Sequence, residues 1–462
     1  MTLIKSISGI RGTIGGKPED NLTPIDAVKF AAAYGTWLKT TLNKENIRVV
    51  LGRDARISGE MIQNLVAYTL VGLGIEVIDT GLSTTPTVEV AVPMENADGG
   101  IILTASHNPK QWNALKLLNS KGEFLNGKDG EEILKIVEKS DFTFSQVDDL
   151  GKITKNDTYI DKHIESVLNL KLVDVSAIKS KKFKVVVDAV NSTGGIAIPR
   201  LLEKLGVEVV KLYCEPNGHF PHNPEPLKEH LGDISAKVIA EKAHFGIVVD
   251  PDVDRLALIC EDGEMFGEEY TLVACADYVL SKTPGNTASN LSSSRALRDI
   301  TEKYGANYFA SAVGEVNVVE MMKKNNVIIG GEGNGGIIYP ELHYGRDALV
   351  GVALFLSLLA TRNITSVKEL RESYPAYFMS KNKIELTPEV NVDMILTKMA
   401  QKYAHENVNT IDGVKIDFAE SWAHLRKSNT EPIIRIYTEA KSFEEADALA
   451  NRIIADIQDI IK

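Results

Sequence analysis

Three segments of the chain repeat one arrangement of apolar and polar positions. In RVVLGRDARISGEMIQNLVAYTLVGLGIEVIDTG, residues 48–81, a short apolar run leads into a polar turn, then an amphipathic stretch that closes at glycine, then a second apolar run. KVVVDAVNSTGGIAIPRLLEKLGVEVVKLY, residues 184–213, follows the same plan closely, and TASNLSSSRALRDITEKYGANYFAS, residues 287–311, follows it more faintly. Each reads as a β-α-β unit, so the pattern predicts an α/β fold of three related domains with mixed, mainly parallel sheets. Right-handed crossovers then put helices on the sheet faces, and ligands belong at the carboxyl ends of the strands.

After Tyr374-Pro375 the texture changes to short alternating runs, NKIELTP, GVKIDF and PIIRIYTEA, which end in SFEEADALANRIIADIQDIIK. This predicts a smaller C-terminal α+β domain whose last helix is capped by Ser442, with Glu444 and Glu445 favouring its first turn. Polar stretches such as GKITKNDTY and RESYPAY place the expected domains at 1–155, 156–255, 256–372 and 373–462.

The bulk numbers narrow the function. The 462 residues are 44% hydrophobic, enough for several cores. ALVGVALFLSLLA, residues 348–360, is too short to span a bilayer, and the amino end lacks the apolar centre of a signal peptide, so no membrane association and a cytoplasmic location are expected. Cys214, Cys260 and Cys275 lack metal-like spacing and fit a reducing compartment. A net charge of −12, without a dense basic block, argues against a nucleic-acid partner.

Five loops could carry chemistry. In FGIVVDPDVDRLALI, Asp250, Asp252 and Asp254 alternate between two apolar runs and can converge on one point, where their mutual repulsion asks for a hard cation such as Mg²⁺. A solvated acidic turn competes with this reading. Glu261 stands where a Ca²⁺ EF-hand wants its last ligand, but Arg255 occupies the position of that loop's glycine.

TASHNPKQWNALK follows GGIIL and sets Ser106, His107 and Lys116 near one another in sequence. No GxSxG elbow is present, and sequence neighbours such as Ser106 and His107 rarely face each other, which weakens a hydrolase reading. A phosphorylated Ser106 beside a metal would instead be a phosphoryl donor, with Lys116 neutralising charge or moving a proton. A capped turn is the plainer alternative.

GGEGNGGIIYPE offers Glu332 and Asn334 to sugar hydroxyls, or is simply a glycine-rich turn. LRKSNTEPIIRIY gathers Arg426, Ser428, Asn429 and Thr430, a set suited to grasping a phosphate, or is a surface turn. SGIRG places Arg11 between glycines, where it can meet an anion.

Together and in this order, SGIRG, TASHNP, DPDVDR, GEGNGG and RKSNTEP resemble the α-D-phosphohexomutase superfamily over nearly the whole chain. The resemblance implies four domains around a central cleft, a phosphoserine at Ser106, and Mg²⁺ held by Ser106, Asp250, Asp252 and Asp254. It further implies catalytic contributions from His107, Lys116, Arg11 and Arg255, sugar recognition at Glu332 and Asn334, and phosphate capture by Arg426, Ser428, Asn429 and Thr430. A phosphoryl group would move between O6 and O1 of a hexose phosphate through a hexose 1,6-bisphosphate, which also serves as activator.

Departures from the family pattern bear on the substrate. Many members read GE-x-S-GH where this chain has Gly333-Asn334-Gly335-Gly336, and N-G-x-K where it has Asn113-Ala114-Leu115-Lys116. Glu315 stands where phosphomannomutase-like members often carry histidine, and an acidic residue there would suit an amino sugar. GEGNGG is similar to the loop of phosphoglucosamine mutase-like proteins, which implies conversion of glucosamine 6-phosphate to glucosamine 1-phosphate by a monomer or homodimer. A phosphoglucomutase/phosphomannomutase of broader specificity, a sugar-phosphate-binding protein without turnover and a slow phosphatase are the competing functions.

Overall fold

A computed structural model describes residues 2–6, 9–386, 390–427 and 433–461. The chain divides into two compact units, one of residues 1–279 with 334–368, the other of residues 280–333 with 369–462.

The first unit holds two sheets. The larger orders its strands Ile4–Ser6, Gly9–Thr13, Trp112–Leu118, Gly99–Leu103, Arg48–Arg53, Glu76–Leu82 and Ile153–Lys155. Arg48–Arg53 runs parallel to Glu76–Leu82, as the first repeat predicts, and is also parallel to Gly99–Leu103 on its other side. From Gly99–Leu103 outward through Trp112–Leu118 and Gly9–Thr13 the pairing turns antiparallel, so this sheet is mixed. Val49, Val50 and Leu51 are fully buried, which is why that strand reads as a continuous apolar run rather than an alternation.

The smaller sheet orders Leu256–Ile259, Phe245–Val249, Lys184–Asp188 and Glu208–Leu212. Its last three strands are parallel and Leu256–Ile259 folds back antiparallel on Phe245–Val249. This pairing joins residues on both sides of 255, so the sheet crosses the boundary expected there. The physical reason is that the polar stretch DPDVDR is a turn joining two strands of one sheet, not a linker.

The apolar run at 348–360 forms the helix Ala348–Thr361, buried along Ala348–Ala360 and packed on the helices Tyr159–Leu168 and Val175–Lys181. Its hydrophobicity on every face answers to burial inside protein, and no described helix is long and apolar enough to cross a membrane.

In the second unit Thr287–Asn290 pairs in parallel with both Tyr308–Ser311 and Ile329–Glu332, which bears out the third β-α-β repeat. The C-terminal part is an antiparallel sheet ordered Phe378–Glu385, Ile433–Ala440, Trp422–Lys427, Val414–Asp417 and Asn407–Asn409. The helices Val392–Lys402 and Phe443–Ile461 bury Ile395, Met399, Ile453 and Ile457 against Ile416, Leu425, Ile434 and Ile436. Ser442 caps the last helix as expected, its Oγ accepting the Glu445 amide at 3.1 Å.

Candidate active site

Two of the predicted loops meet within the first unit. Ser106 follows the buried strand Gly99–Leu103, and the three aspartates follow Phe245–Val249, so both loops leave the carboxyl end of a central strand. Ser106 Oγ donates to Asp250 Oδ2 at 2.8 Å. Asp250, Asp252 and Asp254 are fully buried, and one oxygen from each lies within 4.8 Å of the others.

Ser106 sits in left-handed backbone at φ 49°, which a non-glycine residue rarely adopts. Its amide donates to Thr104 Oγ1 at 2.9 Å, and Thr104 Oγ1 donates to Asp54 Oδ2 at 2.7 Å. Arg56, buried and paired with Asp54 at 3.0 Å, donates to the carbonyls of Ser106, Asn108, Pro109 and Trp112 at 2.6–2.9 Å. One planar guanidinium thus gathers the whole turn, a geometry that lysine cannot reproduce. Sequence reasoning missed Arg56; the signal was RDAR at the carboxyl end of a parallel strand. Arg11, on the strand next to Trp112–Leu118, donates to Asn108 Oδ1 at 2.9 Å.

Contrary to the sequence-neighbour expectation, Ser106 Oγ and His107 Nδ1 lie 3.3 Å apart. The left-handed turn brings the two side chains to the same side. Burial, followed by the charges of Arg255, Arg11 and Arg346, pushes the His107 pKa down to about 2, so its imidazole is neutral.

Lys116 belongs to the strand beside the Ser106 strand and reaches Asp252 Oδ2 at 2.8 Å, with Asp254 Oδ2 at 3.8 Å. Burial works against its charge, but Asp252 and Asp254 outweigh that penalty and hold its pKa above the ordinary value. Asp252 also accepts from Thr85 Oγ1, and Asp254 from Arg346, each at 2.6 Å. Thr85 and Arg346 went unnoticed in the sequence because neither sits in a recognisable motif. Arg255 donates its amide to Asp250 at 3.2 Å and its guanidinium to Glu225 at 3.3 Å.

The cluster has the make-up of a metal site. Burial raises the Asp250 pKa well above the carboxylate range, with repulsion from Asp254 and Asp252 adding to it. Asp252 Oδ1 and Asp254 Oδ1 are buried without a hydrogen-bond partner among the described residues, and all the offered ligands are hard oxygens. The EF-hand alternative fails on geometry. Glu261 is committed elsewhere, accepting from the amides of Val367 and Lys368 and from the Ser366 hydroxyl.

The remaining predicted residues divide between the units. In the first, Asn334 Oδ1 accepts from its own loop at Gly336 N, 3.2 Å away. In the second, buried Glu332 accepts from Asn290 Nδ2 at 2.8 Å and from Gly314 N at 3.3 Å. Glu315 opens the helix Glu315–Lys324 directly after that glycine. Arg426 Nε donates to Asp412 Oδ2 at 3.0 Å, an oxygen that also accepts the Val313 amide at 2.9 Å. Glu332, and Arg426 through Asp412, are thus linked by hydrogen bonds to the turn at Val313 and Gly314, which Glu315 directly follows. Ser428, Asn429 and Thr430 lie outside the described residues.

Family models for phosphoglucomutase/phosphomannomutase alpha/beta/alpha domains I, II and III match residues 3–144, 158–263 and 267–377, and that for the C-terminal domain matches 385–456. The chain belongs to the phosphoglucomutase/phosphomannomutase family. A phosphoglucomutase/phosphomannomutase from Thermococcus kodakarensis is 37% identical over 440 residues, spanning 94% of this chain and 95% of the relative. A probable phosphoglucosamine mutase from Methanopyrus kandleri is 31% identical over 97% of this chain and 96% of its own. The crystal structure of a phosphoglucomutase/phosphomannomutase family protein from Burkholderia thailandensis aligns with a TM-score of 0.83 at 26% identity, covering 98% of this chain and 96% of that one. This member of the family is accordingly an intramolecular phosphotransferase acting as a phosphohexomutase.

Proposed function

We propose that Ser106 is the phosphoryl carrier of a mutase that interconverts glucosamine 6-phosphate and glucosamine 1-phosphate through a hexose 1,6-bisphosphate. The observation that carries the reading is Ser106 Oγ held 2.8 Å from Asp250, in a left-handed turn fastened by Arg56. A serine kept in so restricted a conformation can transfer a group along a fixed line.

In the first half-reaction the bond between Ser106 Oγ and phosphorus breaks as a sugar hydroxyl oxygen bonds to that phosphorus, the hydroxyl proton passing to a base and Oγ regaining a proton. The second half-reaction runs the other way: Oγ gives up its proton and bonds to the phosphorus at the other end of the bisphosphate, while that sugar O–P bond breaks and its oxygen is protonated. Lys116, charged and fixed on Asp252, offsets negative charge on the transferred group together with Arg255 and Arg11. His107 is the neutral group beside Oγ. A dianionic phosphoryl group on Ser106 would oppose the burial and the neighbouring cations that depress its pKa and favour its taking the proton. Asp250, Asp252 and Asp254 would hold Mg²⁺ with an oxygen of phosphorylated Ser106, and the ion would supply charge neutralisation to the phosphoryl group.

The choice of an amino sugar rests on Glu315 and Glu332, which border the same turn at Gly314, and on the likeness to the probable phosphoglucosamine mutase from Methanopyrus kandleri. Arg426, with Ser428, Asn429 and Thr430, would hold the phosphate that stays on the sugar.

The test is a coupled assay with a trace of sugar bisphosphate, alongside intact-mass measurement. Wild type should gain one phosphoryl group and turn over, with catalytic efficiency highest for glucosamine phosphate over glucose and mannose phosphates. Ser106→Ala should gain no phosphoryl group and lose about 10⁴-fold or more in rate. Chelation should stop turnover and added Mg²⁺ restore it. A wild-type protein that neither becomes phosphorylated nor turns over any of these sugars would falsify the carrier role, and a preference for glucose or mannose phosphate would overturn the amino-sugar assignment alone.

A further inference from the structure

A second cluster of buried ionisable groups lies in the first unit and takes no part in the chemistry above. Asp347 precedes the helix Ala348–Thr361 and divides its two oxygens between different tasks. Oδ1 caps the helix, accepting from the amides of Leu349 at 2.8 Å and Val350 at 3.3 Å. Oδ2 faces two imidazoles, with His163 Nε2 at 2.9 Å and His343 Nε2 at 3.3 Å. His163 and Asp347 are fully buried, and the His343 side chain is 9% exposed.

The far side of each ring also faces an oxygen. His163 Nδ1 lies 3.0 Å from Thr87 Oγ1, and His343 Nδ1 lies 3.3 Å from Glu89 Oε2. Thr87 and Glu89 are buried positions of the helix Thr85–Met94. A Cβ on Gly345 would collide with the Glu89 carboxylate, so the backbone closes tightly over this partner.

We infer that His163 Nε2, His343 Nε2 and Asp347 Oδ2 form a site for a borderline divalent cation of the Zn²⁺ or Co²⁺ class. Three features point there together. The donor atoms converge within 4.8 Å. Their nitrogen-to-oxygen separations of 2.9 and 3.3 Å lie somewhat below and at the roughly 3.3 Å spacing that ligands adopt around a tetrahedral ion with bonds of about 2.0–2.1 Å. The His163 ring has its other nitrogen at hydrogen-bond distance from Thr87 Oγ1, the arrangement that fixes the orientation of a metal-binding histidine, while His343 Nδ1 faces the Glu89 carboxylate at 3.3 Å without hydrogen-bond geometry. Two imidazoles and one carboxylate select against Mg²⁺, which prefers oxygen alone, and leave a fourth position for water.

The site has a structural place in the enzyme. It joins the helices Thr85–Met94 and Tyr159–Leu168 to the start of Ala348–Thr361. Thr85, two residues before Thr87, contacts Asp252, and Arg346, next to Asp347, contacts Asp254. An ion there braces two of the groups that hold the aspartate loop without touching the reacting atoms.

The test uses Co²⁺ as the spectroscopic probe on the full-length protein, with excess Mg²⁺ present for the oxygen-only loop. Wild type and Asp252→Asn should each bind one equivalent with the intense visible absorption of a four-coordinate, nitrogen-ligated ion. His343→Gln should weaken that binding at least tenfold, and Asp347→Asn should do so while keeping a helix-capping side chain. Added Zn²⁺ should raise the melting temperature of wild type and not of His343→Gln. A wild-type protein that shows only the weak spectrum of six-coordinate Co²⁺, with no Zn²⁺-dependent rise in melting temperature, overturns the assignment and leaves the cluster as a hydrogen-bonded imidazole pair. Four-coordinate binding that persists unchanged in both variants overturns it as well.

Discussion

Lys116 and Lys415 are both buried, yet their ammonium groups respond to burial in opposite ways. Lys116 meets two carboxylates, Asp252 at 2.8 Å and Asp254 at 3.8 Å, and its pKa rises despite the desolvation that opposes it. Lys415, on the strand Val414–Asp417 of the second unit, donates to the Leu291 carbonyl at 2.7 Å and lies 4.3 Å from the centre of the Trp422 ring. Burial pushes it down to about 8, with Asp417 and Glu439 only partly resisting. A carbonyl and an aromatic face satisfy the geometry of an ammonium group but do not replace its lost hydration, whereas direct carboxylate contact can. The charge kept at Lys116 is the one the proposed phosphoryl transfer would use.

The sharpest way to break the contrast is Lys116→Met. It leaves Asp252 in the interior without its ammonium partner and should cost about 3–5 kcal/mol of stability, as removal of one member of a buried ion pair does. Urea unfolding of the metal-free protein measures it. An unchanged midpoint would mean that the lysine is not what compensates the aspartate cluster.

Arg56→Lys probes the scaffold around the same site. A lysine can reach only some of the four carbonyls that the guanidinium holds, so the variant should lose about 2–3 kcal/mol, since each buried carbonyl left bare costs about 1–3 kcal/mol. It should also turn over more slowly, because the Ser106 turn loosens. Full retention of both properties would show that the turn is fixed by Thr104 and Asp54 alone.

Lys415 gives the most gradual effect and the clearest sign. Its folded-state pKa of about 8 lies below the ordinary 10.5, so between those values the unfolded chain binds more protons. Its contribution to stability is therefore complete above about pH 10.5 and is lost as pH falls through about 8. Stability should rise with pH across that window by at most about 1.4 kcal/mol per pH unit, and Lys415→Met should flatten the rise. An identical slope in the variant would assign it to other groups.

Much of the fold was legible because its elements are local. The first two repeats appear as β-α-β units at the expected residues, and the apolar run at 348–360 is the buried helix its composition suggests. The boundary near 255 misled because a polar turn within a sheet and a linker between domains have the same composition. The Ser106 and Asp250–Asp254 loops were visible as chemistry-bearing residues at the ends of apolar strands. Arg56, Thr85 and Arg346 were not, since they act only through long-range contacts with those loops.

By itself the sequence determined the β-α-β repeats, the serine and aspartate loops and the order in which they occur, since each depends on periodicity or on residues close along the chain. Only the tertiary structure decided that Ser106 meets Asp250, that Lys116 keeps its charge while Lys415 is pushed toward losing it, and that His163 and His343 converge on Asp347. Those outcomes depend on distance and burial. A pKa or a ligand set is a property of neighbours brought together by folding, and the spacing of residues along the chain does not contain it.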